Sequence, residues 1–313
     1  MSGAFAMLDG KRVARARDLP FVHTVTHFFG SSFPLIICVC CVGVTCMSAS
    51  WQSGVRRWHA GCAQHASRFG SVNFWQSHFR RVQTPNEWIM PADVAAESTA
   101  AAFAAHEKAH SSVGPFARVL HIGCGTSHLG RHLISALSSH MRVSARVMNV
   151  DYSMEAVAIM KAHRDDEEQQ QLFRVWDASS GTVPPTLPNT MYSCGASTRY
   201  DLLVDKGTLD VLCFSREDAL VAYFEALRGC LLEVSLETAM PPLLVHLTDE
   251  PPDARGELLA AAFPSGDEHR WRHECVELRA GDAERDREGR SGEVVAGGAS
   301  RERACYRYTV WRA

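Results

Sequence analysis

The sequence predicts an α/β protein with a doubly wound sheet of seven strands, the last of them antiparallel. Three observations predict this fold. An apolar strand runs into a Gly-x-Gly turn at Gly123 and Gly125, a second apolar run ends in Asp151, and further apolar segments alternate with helical stretches before a final pair of strands. This arrangement is Rossmann-like.

The first strand, residues 119–122, leads directly into Gly-Cys-Gly-Thr-Ser at residues 123–127. Glycines allow a sharp turn and let backbone N–H groups approach a ligand, and the helix expected at about residues 128–139 points its positive end to the same place. The second strand, residues 143–150, ends at Asp151, where an acid can accept both hydroxyls of a ribose. These segments predict the first half of an adenosine-binding sheet.

The spacing within the turn disfavours a dinucleotide. A dinucleotide fingerprint places a third Gly or Ala where this chain has the bulky His128. The turn instead resembles motif I of the class I methyltransferases, which use S-adenosyl-L-methionine. The resemblance implies that this cofactor is bound by Gly123, Cys124, Gly125, Ser127, Asp151 and Tyr152.

Two later segments extend the resemblance. Residues 173–177 are predicted as a third strand ending in Asp177, where such enzymes hold the adenine amino group, and residues 200–205 as a fourth, buried strand. The run Asp-Lys-Gly-Thr-Leu-Asp at residues 205–210 resembles the signature of a lysine methyltransferase subgroup whose members modify elongation factor 1-alpha or citrate synthase. The resemblance implies methyl transfer to a lysine of a protein substrate.

A lysine amine must lose a proton before it attacks, so an acid near the end of the fourth strand could orient it. Asp205 is the predicted catalytic residue, with Lys206 beside it, and Asp205 also counts among the cofactor-binding residues. In the alternative interpretation Asp205 caps the following turn and Lys206 pairs with it at the surface. Alternative functions are a small-molecule methyltransferase and a non-catalytic scaffold that keeps the cofactor pocket.

Upstream of the sheet, the aromatic residues 74–79 and the Glu87-Trp88 pair also resemble the subgroup, although Ile-Met follows where Phe-Gly is expected. Phe79 and Trp88 either cover the cofactor or serve in packing. A second departure is His121, because most class I methyltransferases place there an acid that helps to hold the amino-acid end of the cofactor.

The remaining strands are predicted at residues 242–248, 271–278 and 304–312. Residues 179–199 are rich in Ser, Thr, Pro and Gly and predict a loop insertion. Residues 281–303 alternate acids and arginines with few core-forming residues, which predicts a solvated insertion between the last two strands. The methyltransferase domain is therefore expected at residues 71–313.

The composition of the chain argues against some classes of binding partner. The chain has 313 residues, of which 46% are hydrophobic, and its net charge is −3, so it lacks the basic excess that obligate nucleic-acid binding needs. The eleven cysteines do not have the paired spacing of a zinc site, and His128 and His132 lack a visible third ligand. No metal is predicted, and the oligomeric state is left open.

Residues 1–70 are expected to be an N-terminal extension. Residues 19–54 contain no acid, lysine or arginine, and residues 33–47 are strongly apolar. The alternatives are a membrane anchor, an organelle-targeting segment, an upstream extension with the working start at Met47, and a surface tail. Residues 48–68 contain arginines and no acids, as mitochondrial presequences do. A cytoplasmic or mitochondrial location is expected, with membrane contact only through residues 19–54.

Overall fold

The computed structural model describes residues 24–25, 37–62, 68–82, 84–110, 116–163, 170–187, 200–232, 240–266, 269–278 and 304–313. The chain divides into two units, Met1–Ser50 and Trp51–Ala313. In the first unit Thr24–Val25 pairs antiparallel with Ile37–Cys38. The second unit contains the main sheet.

Seven strands form this sheet, in the order β3-β2-β1-β4-β5-β7-β6. The first five in this order are parallel, and β7 runs antiparallel to both of its neighbours. The predicted doubly wound sheet is confirmed, and the strand order reverses between β1 and β4, where open α/β sheets bind ligands. The strands are β1 (Phe116–Ile122), β2 (Ser144–Asp151), β3 (Gln171–Val175), β4 (Leu202–Lys206), β5 (Leu243–Thr248), β6 (Trp271–Leu278) and β7 (Cys305–Arg312).

Helices cover both faces of the sheet. Alternate side chains of β1 face opposite sides, so Val119 packs with α3 and α4 while Leu120 packs with α7 and α8. None of the helices in the part of the chain that the structure describes is both long and apolar enough to cross a membrane. The helices are α1 (Val39–Cys62), α2 (Val72–Arg81), α3 (Ala92–His110), α4 (Leu129–Met141), α5 (Met154–Ala162), α6 (Thr208–Leu212), α7 (Glu217–Leu232) and α8 (Pro252–Ala262).

Strand bounds differ from the predicted ones mainly in β3. The sequence predicts this strand at residues 173–177, but pairing with β2 ends at Val175 because Asp177 caps a 3-10 turn at Ala178–Ser180. The predicted loop insertion at residues 179–199 begins in this turn, and its residues 188–199 lie outside the described residues. The predicted insertion at 281–303 lies wholly outside them.

The second unit begins before the domain boundary predicted at residue 70. Trp51 and Val55, on the C-terminal half of α1, are buried in the same core as β1 and α7. The guanidinium of Arg228 lies 4.9 Å from the ring centre of Trp51 and 5.3 Å from that of Trp271, and it donates to the carbonyl of Ala262 at 2.7 Å. Part of the expected extension is therefore packed onto the domain.

Candidate functional site

The turn after β1 has a geometry that requires glycine. Gly123 and Gly125 have φ angles of +60° and +50°. A Cβ atom at Gly123 would lie 1.8 Å from Oγ1 of Thr208, whose hydroxyl donates to the carbonyl of Ile122 at 3.0 Å. The glycine turn and the run that follows β4 are therefore in direct contact, and a side chain at residue 123 would separate them.

Asp151 ties this turn to the end of β2. Its Oδ2 accepts a hydrogen bond from the Gly125 N–H at 2.9 Å, and its Oδ1 accepts one from the Ser153 N–H at 2.8 Å. Burial raises the pKa of Asp151 to about 6, although the two backbone hydrogen bonds act in the opposite direction. Each carboxylate oxygen has a further lone pair, so both could also accept a ligand hydroxyl.

Two adjoining cavities lie over the carboxyl ends of the strands. The larger, of about 490 Å³, extends along Asp177, and the smaller, of about 110 Å³, is bounded by the glycine turn and Asp151. Asp177 and Asp151, the residues predicted to hold the adenine and the ribose, thus border two adjoining cavities. The residues that line both cavities are Trp75, Gly123, Tyr152, Thr208 and Val211.

Four other predicted cofactor-binding residues lie at these cavities. Tyr152 lines both cavities, and its hydroxyl donates to the carbonyl of Val72 at 3.2 Å. Asp177 is exposed on the larger cavity, where its Oδ1 accepts from the backbone N–H of Ser179 at 2.9 Å. Ser127 and the buried Cys124 line the smaller one. Burial raises the pKa of the Cys124 thiol.

Asp205 is placed differently from its prediction. It is fully buried and lines neither cavity, because the register of β4 with β5 sets it opposite His246 in the interior. Its Oδ1 accepts from the Thr208 N–H at 3.0 Å, and its Oδ2 accepts from the Leu209 N–H at 3.1 Å and from the Tyr223 hydroxyl. The predicted substrate-facing and cofactor-binding roles do not fit this position, whereas the alternative role as a cap does.

Lys206 lines the smaller cavity, but its partner is not the predicted one. Its ammonium donates to the carboxylate of Glu87 and to the carbonyl of Met90, the latter at 3.3 Å. The side chain is 3% exposed, and burial lowers the pKa of Lys206 against the opposing effect of Glu87. Surface pairing with Asp205 is therefore wrong, since the lysine joins β4 to the segment that precedes α3.

Glu87 is the site residue to which sequence reasoning gives no role. Its Oε2 accepts from the Ser127 hydroxyl at 2.7 Å, and its Oε1 accepts from the His128 N–H at 2.8 Å. Because no side chain at the N-cap position of α4 caps that helix, Glu87 caps it from outside the helix. Burial acts to raise the pKa of Glu87, but Lys206 and these hydrogen bonds outweigh it and lower the pKa. The Glu-Trp pair is the available sequence signal.

His121 carries no charge at neutral pH. Its side chain is buried, its Nδ1 lies 2.9 Å from Oδ1 of Asn149, and burial lowers its pKa to about 4. It lines the smaller cavity. The position where most class I methyltransferases have an acid is therefore electrically neutral in this protein.

Aromatic side chains form a wall over the glycine turn. The ring centre of Trp75 lies 5.9 Å from that of Phe79 and 5.5 Å from that of Trp88. All three rings line the smaller cavity, and Trp88 remains 44% exposed while Phe79 is buried. These rings therefore pack on one another, as one interpretation predicts, and they also border the space above the turn, where the other interpretation places the cofactor.

Comparison with known proteins identified a sequence relative. Over 190 residues the chain is 32% identical to the mitochondrial citrate synthase-lysine N-methyltransferase of Danio rerio. The alignment covers 60% of this chain and 66% of the relative, slightly under two thirds of its length. No protein-family model matches the chain.

Solved methyltransferase structures also align with the fold at low identity. Magnesium protoporphyrin IX methyltransferase from Synechocystis PCC 6803 is 13% identical, with 78% of this chain and 93% of that chain covered and a TM-score of 0.38. A protein from Thermoplasma acidophilum is 10% identical, with 65% and 71% covered and a TM-score of 0.37. At this level of similarity, the functional assignment depends on the observed strand order, the site and the sequence relative.

Proposed function

We propose that the chain is a class I S-adenosylmethionine-dependent methyltransferase and that it transfers a methyl group from this cofactor to a lysine side chain of a protein. One observation carries the proposal. The run at residues 205–210, which resembles the lysine methyltransferase signature, lies directly on the glycine turn through Thr208 and Gly123. The relative in Danio rerio supports the same acceptor, because its name specifies a lysine of citrate synthase.

The chain's own residues would bind and orient the cofactor. We assign Asp177, which lines the larger cavity, to the adenine, and Asp151 and Ser127, which line the smaller one, to the ribose hydroxyls and the amino-acid end. Tyr152 borders both cavities and would contact the cofactor between these two regions. The bound cofactor supplies an electrophilic methyl group on a sulfonium, and transfer depends chiefly on short, aligned approach of the acceptor.

The aromatic wall is suited to excluding water from this transfer. Trp75 and Phe79 cover the turn, and Trp88 presents a partly exposed ring beside the smaller cavity. An aromatic face also attracts a lysine ammonium or its methylated forms. We assign no general base, since the predicted one, Asp205, is enclosed in the interior.

The acceptor is best sought among mitochondrial proteins. The relative is mitochondrial, and residues 48–68 have the arginine-containing, acid-free composition of a presequence. Citrate synthase is the first substrate to test, and the neutral-to-acidic charge of the chain favours a protein over a nucleic acid.

The test is incubation of the purified protein with methyl-labelled S-adenosylmethionine and either citrate synthase or a mitochondrial extract. We expect label in the protein fraction as methyllysine, identified by mass spectrometry, and much less label with Asp151→Asn at a low concentration of S-adenosylmethionine. Glu97→Gln is the matched control, because Glu97 is an acid on α3 that pairs with His140, away from the cavities. Label confined to small molecules would contradict a protein acceptor.

The non-catalytic scaffold makes a different prediction. A scaffold would bind S-adenosylhomocysteine without transferring label to protein or to small molecules. Binding without any transfer, in an extract from the organism's own mitochondria, would therefore replace the enzyme proposal.

A further inference from the structure

The amino-acid end of S-adenosylmethionine carries an ammonium and a carboxylate, so its site needs groups of both signs. The position that usually supplies the acid is His121, which is neutral. Asp151 is the one carboxylate among the residues lining the smaller cavity within the described part of the chain, and its oxygens already hold Gly125 and Ser153 and face the ribose in the proposed function. A second carboxylate for the ammonium would therefore come from a residue outside this lining.

Glu87 is placed to supply it. Two of its hydrogen-bond donors, Ser127 and Lys206, line the smaller cavity, as do its sequence neighbours Asn86 and Trp88. Its side chain is 28% exposed and reaches the cavity lining through Ser127 and Lys206, although Glu87 itself lines neither cavity. The segment is fixed over the turn, because the Asn86 N–H donates to the carbonyl of Thr126 at 3.1 Å.

The hydrogen-bonding capacity of the pair leaves room for a zwitterion. A carboxylate offers about four acceptor positions, and Glu87 uses three of them, for Ser127, His128 and Lys206. An ammonium has three donors, and Lys206 uses two, for Glu87 and the carbonyl of Met90. One acceptor and one donor of opposite charge therefore remain beside the smaller cavity.

We propose that Glu87 accepts a hydrogen bond from the cofactor ammonium and that Lys206 donates one to the cofactor carboxylate, so that this ion pair replaces the acid absent at residue 121. This inference rests on the proposed function, because it takes S-adenosylmethionine as the ligand. Capping of α4 alone would not call for a buried lysine next to the carboxylate, and buried ion pairs add little stability compared with apolar residues. Recognition of a zwitterion gives both charges a role.

The first test uses the unaltered protein and three ligands that differ in how many charged groups of the amino-acid end they keep. Calorimetric titration compares S-adenosylhomocysteine with the analogue that lacks only the α-amino group and with methylthioadenosine, which lacks the whole amino-acid end. We expect removal of the amino group to weaken binding at least tenfold. Equal affinity for the first two ligands would overturn the role of Glu87, whereas failure of all three to bind would overturn the proposed cofactor itself.

The second test uses Glu87→Gln, which keeps the shape and removes the charge, with Glu97→Gln as control. We expect Glu87→Gln to lower the affinity for S-adenosylhomocysteine at least tenfold and the affinity for methylthioadenosine less than twofold. Glu97→Gln should change neither affinity. A parallel loss for both ligands would mean that Glu87 only holds the turn, and no loss for either would exclude it from the site.

Discussion

Asp151 and Asp205 occupy equivalent places in the sequence and different places in the molecule. Each comes at the end of a buried parallel strand, and the sequence predicts a role in the site for both. Asp151 borders the smaller cavity and holds the glycine turn. Asp205 is enclosed between β5 and α7, where it contacts His246 and Tyr223. An acid at a strand end is thus only a weak indication of a ligand contact.

The segment after each strand explains the difference. After Asp151 the chain makes a turn before α5, and Ser153 caps that helix with its own hydroxyl, which accepts from the Ala156 N–H. After β4 the helix α6 begins at Thr208 with Gly207 at the cap position and no side-chain cap of its own. Asp205 therefore satisfies the first N–H groups of α6, and its register opposite His246 keeps its side chain in the interior.

The largest expected effect is on stability at Asp205. Asp205→Ala removes the acceptor for Tyr223, His246 and two backbone N–H groups in the interior, so we expect a loss of about 3–5 kcal/mol in the free energy of unfolding. Urea denaturation measures it. Asp218→Ala, a change at an exposed acid on α7, should cost less than about 1 kcal/mol. A loss at Asp205 as small as this would contradict a structural role.

A similar but smaller effect is expected at the contact between the two motifs. Gly123→Ala places a Cβ 1.8 Å from Thr208 Oγ1 at a positive φ, so we expect destabilisation of about 2–4 kcal/mol. Gly256→Ala is the matched control, because Gly256 lies within α8 and a Cβ there meets nothing within 4 Å. In the same denaturation experiment it should be neutral or stabilising by up to about 1 kcal/mol. Equal effects of the two changes would show that Gly123 and Thr208 are not in close contact.

For a substitution at Asp151 we expect the main effect on ligand affinity and not on the free energy of unfolding. Asp151→Asn keeps one acceptor oxygen but removes the charge, so we expect methylthioadenosine affinity to fall roughly ten- to a hundredfold, as for the loss of charged hydrogen bonds worth about 1.5–3 kcal/mol. Calorimetry measures this loss. Unchanged affinity in a folded variant would place the ribose elsewhere and would remove the contrast with Asp205.

The sheet could be predicted because its signals are local. Alternating apolar strands and helices predict all seven strands, and the bounds of β6 agree with the prediction at both ends. The site was less predictable because its polar contacts join distant segments. Glu87 and Lys206 are 119 residues apart, and neither indicates the other in the sequence. The inward direction of Asp205 depends on its register with His246, which one sequence does not reveal.

The smallest expected effect is a pH dependence of methylthioadenosine binding that is caused by the ionisation of Asp151. Ribose hydroxyls donate to the ionised carboxylate, and burial raises the pKa of Asp151 to about 6, so affinity should be full well above that pH and decline below it. Between pH 7.5 and pH 5.5 the ionised fraction falls from nearly complete to about a quarter, which predicts about a fourfold weaker binding of methylthioadenosine.

This ligand has no amino or carboxyl group, so titration at the amino-acid end does not contribute to the change. His121 does not titrate in this range, since burial lowers its pKa to about 4. Asp151→Asn should bind weakly and equally at both pH values, because the titrating group has been removed. If the variant kept the same fourfold change, another group would be responsible and the raised pKa of Asp151 would have no part in ligand binding.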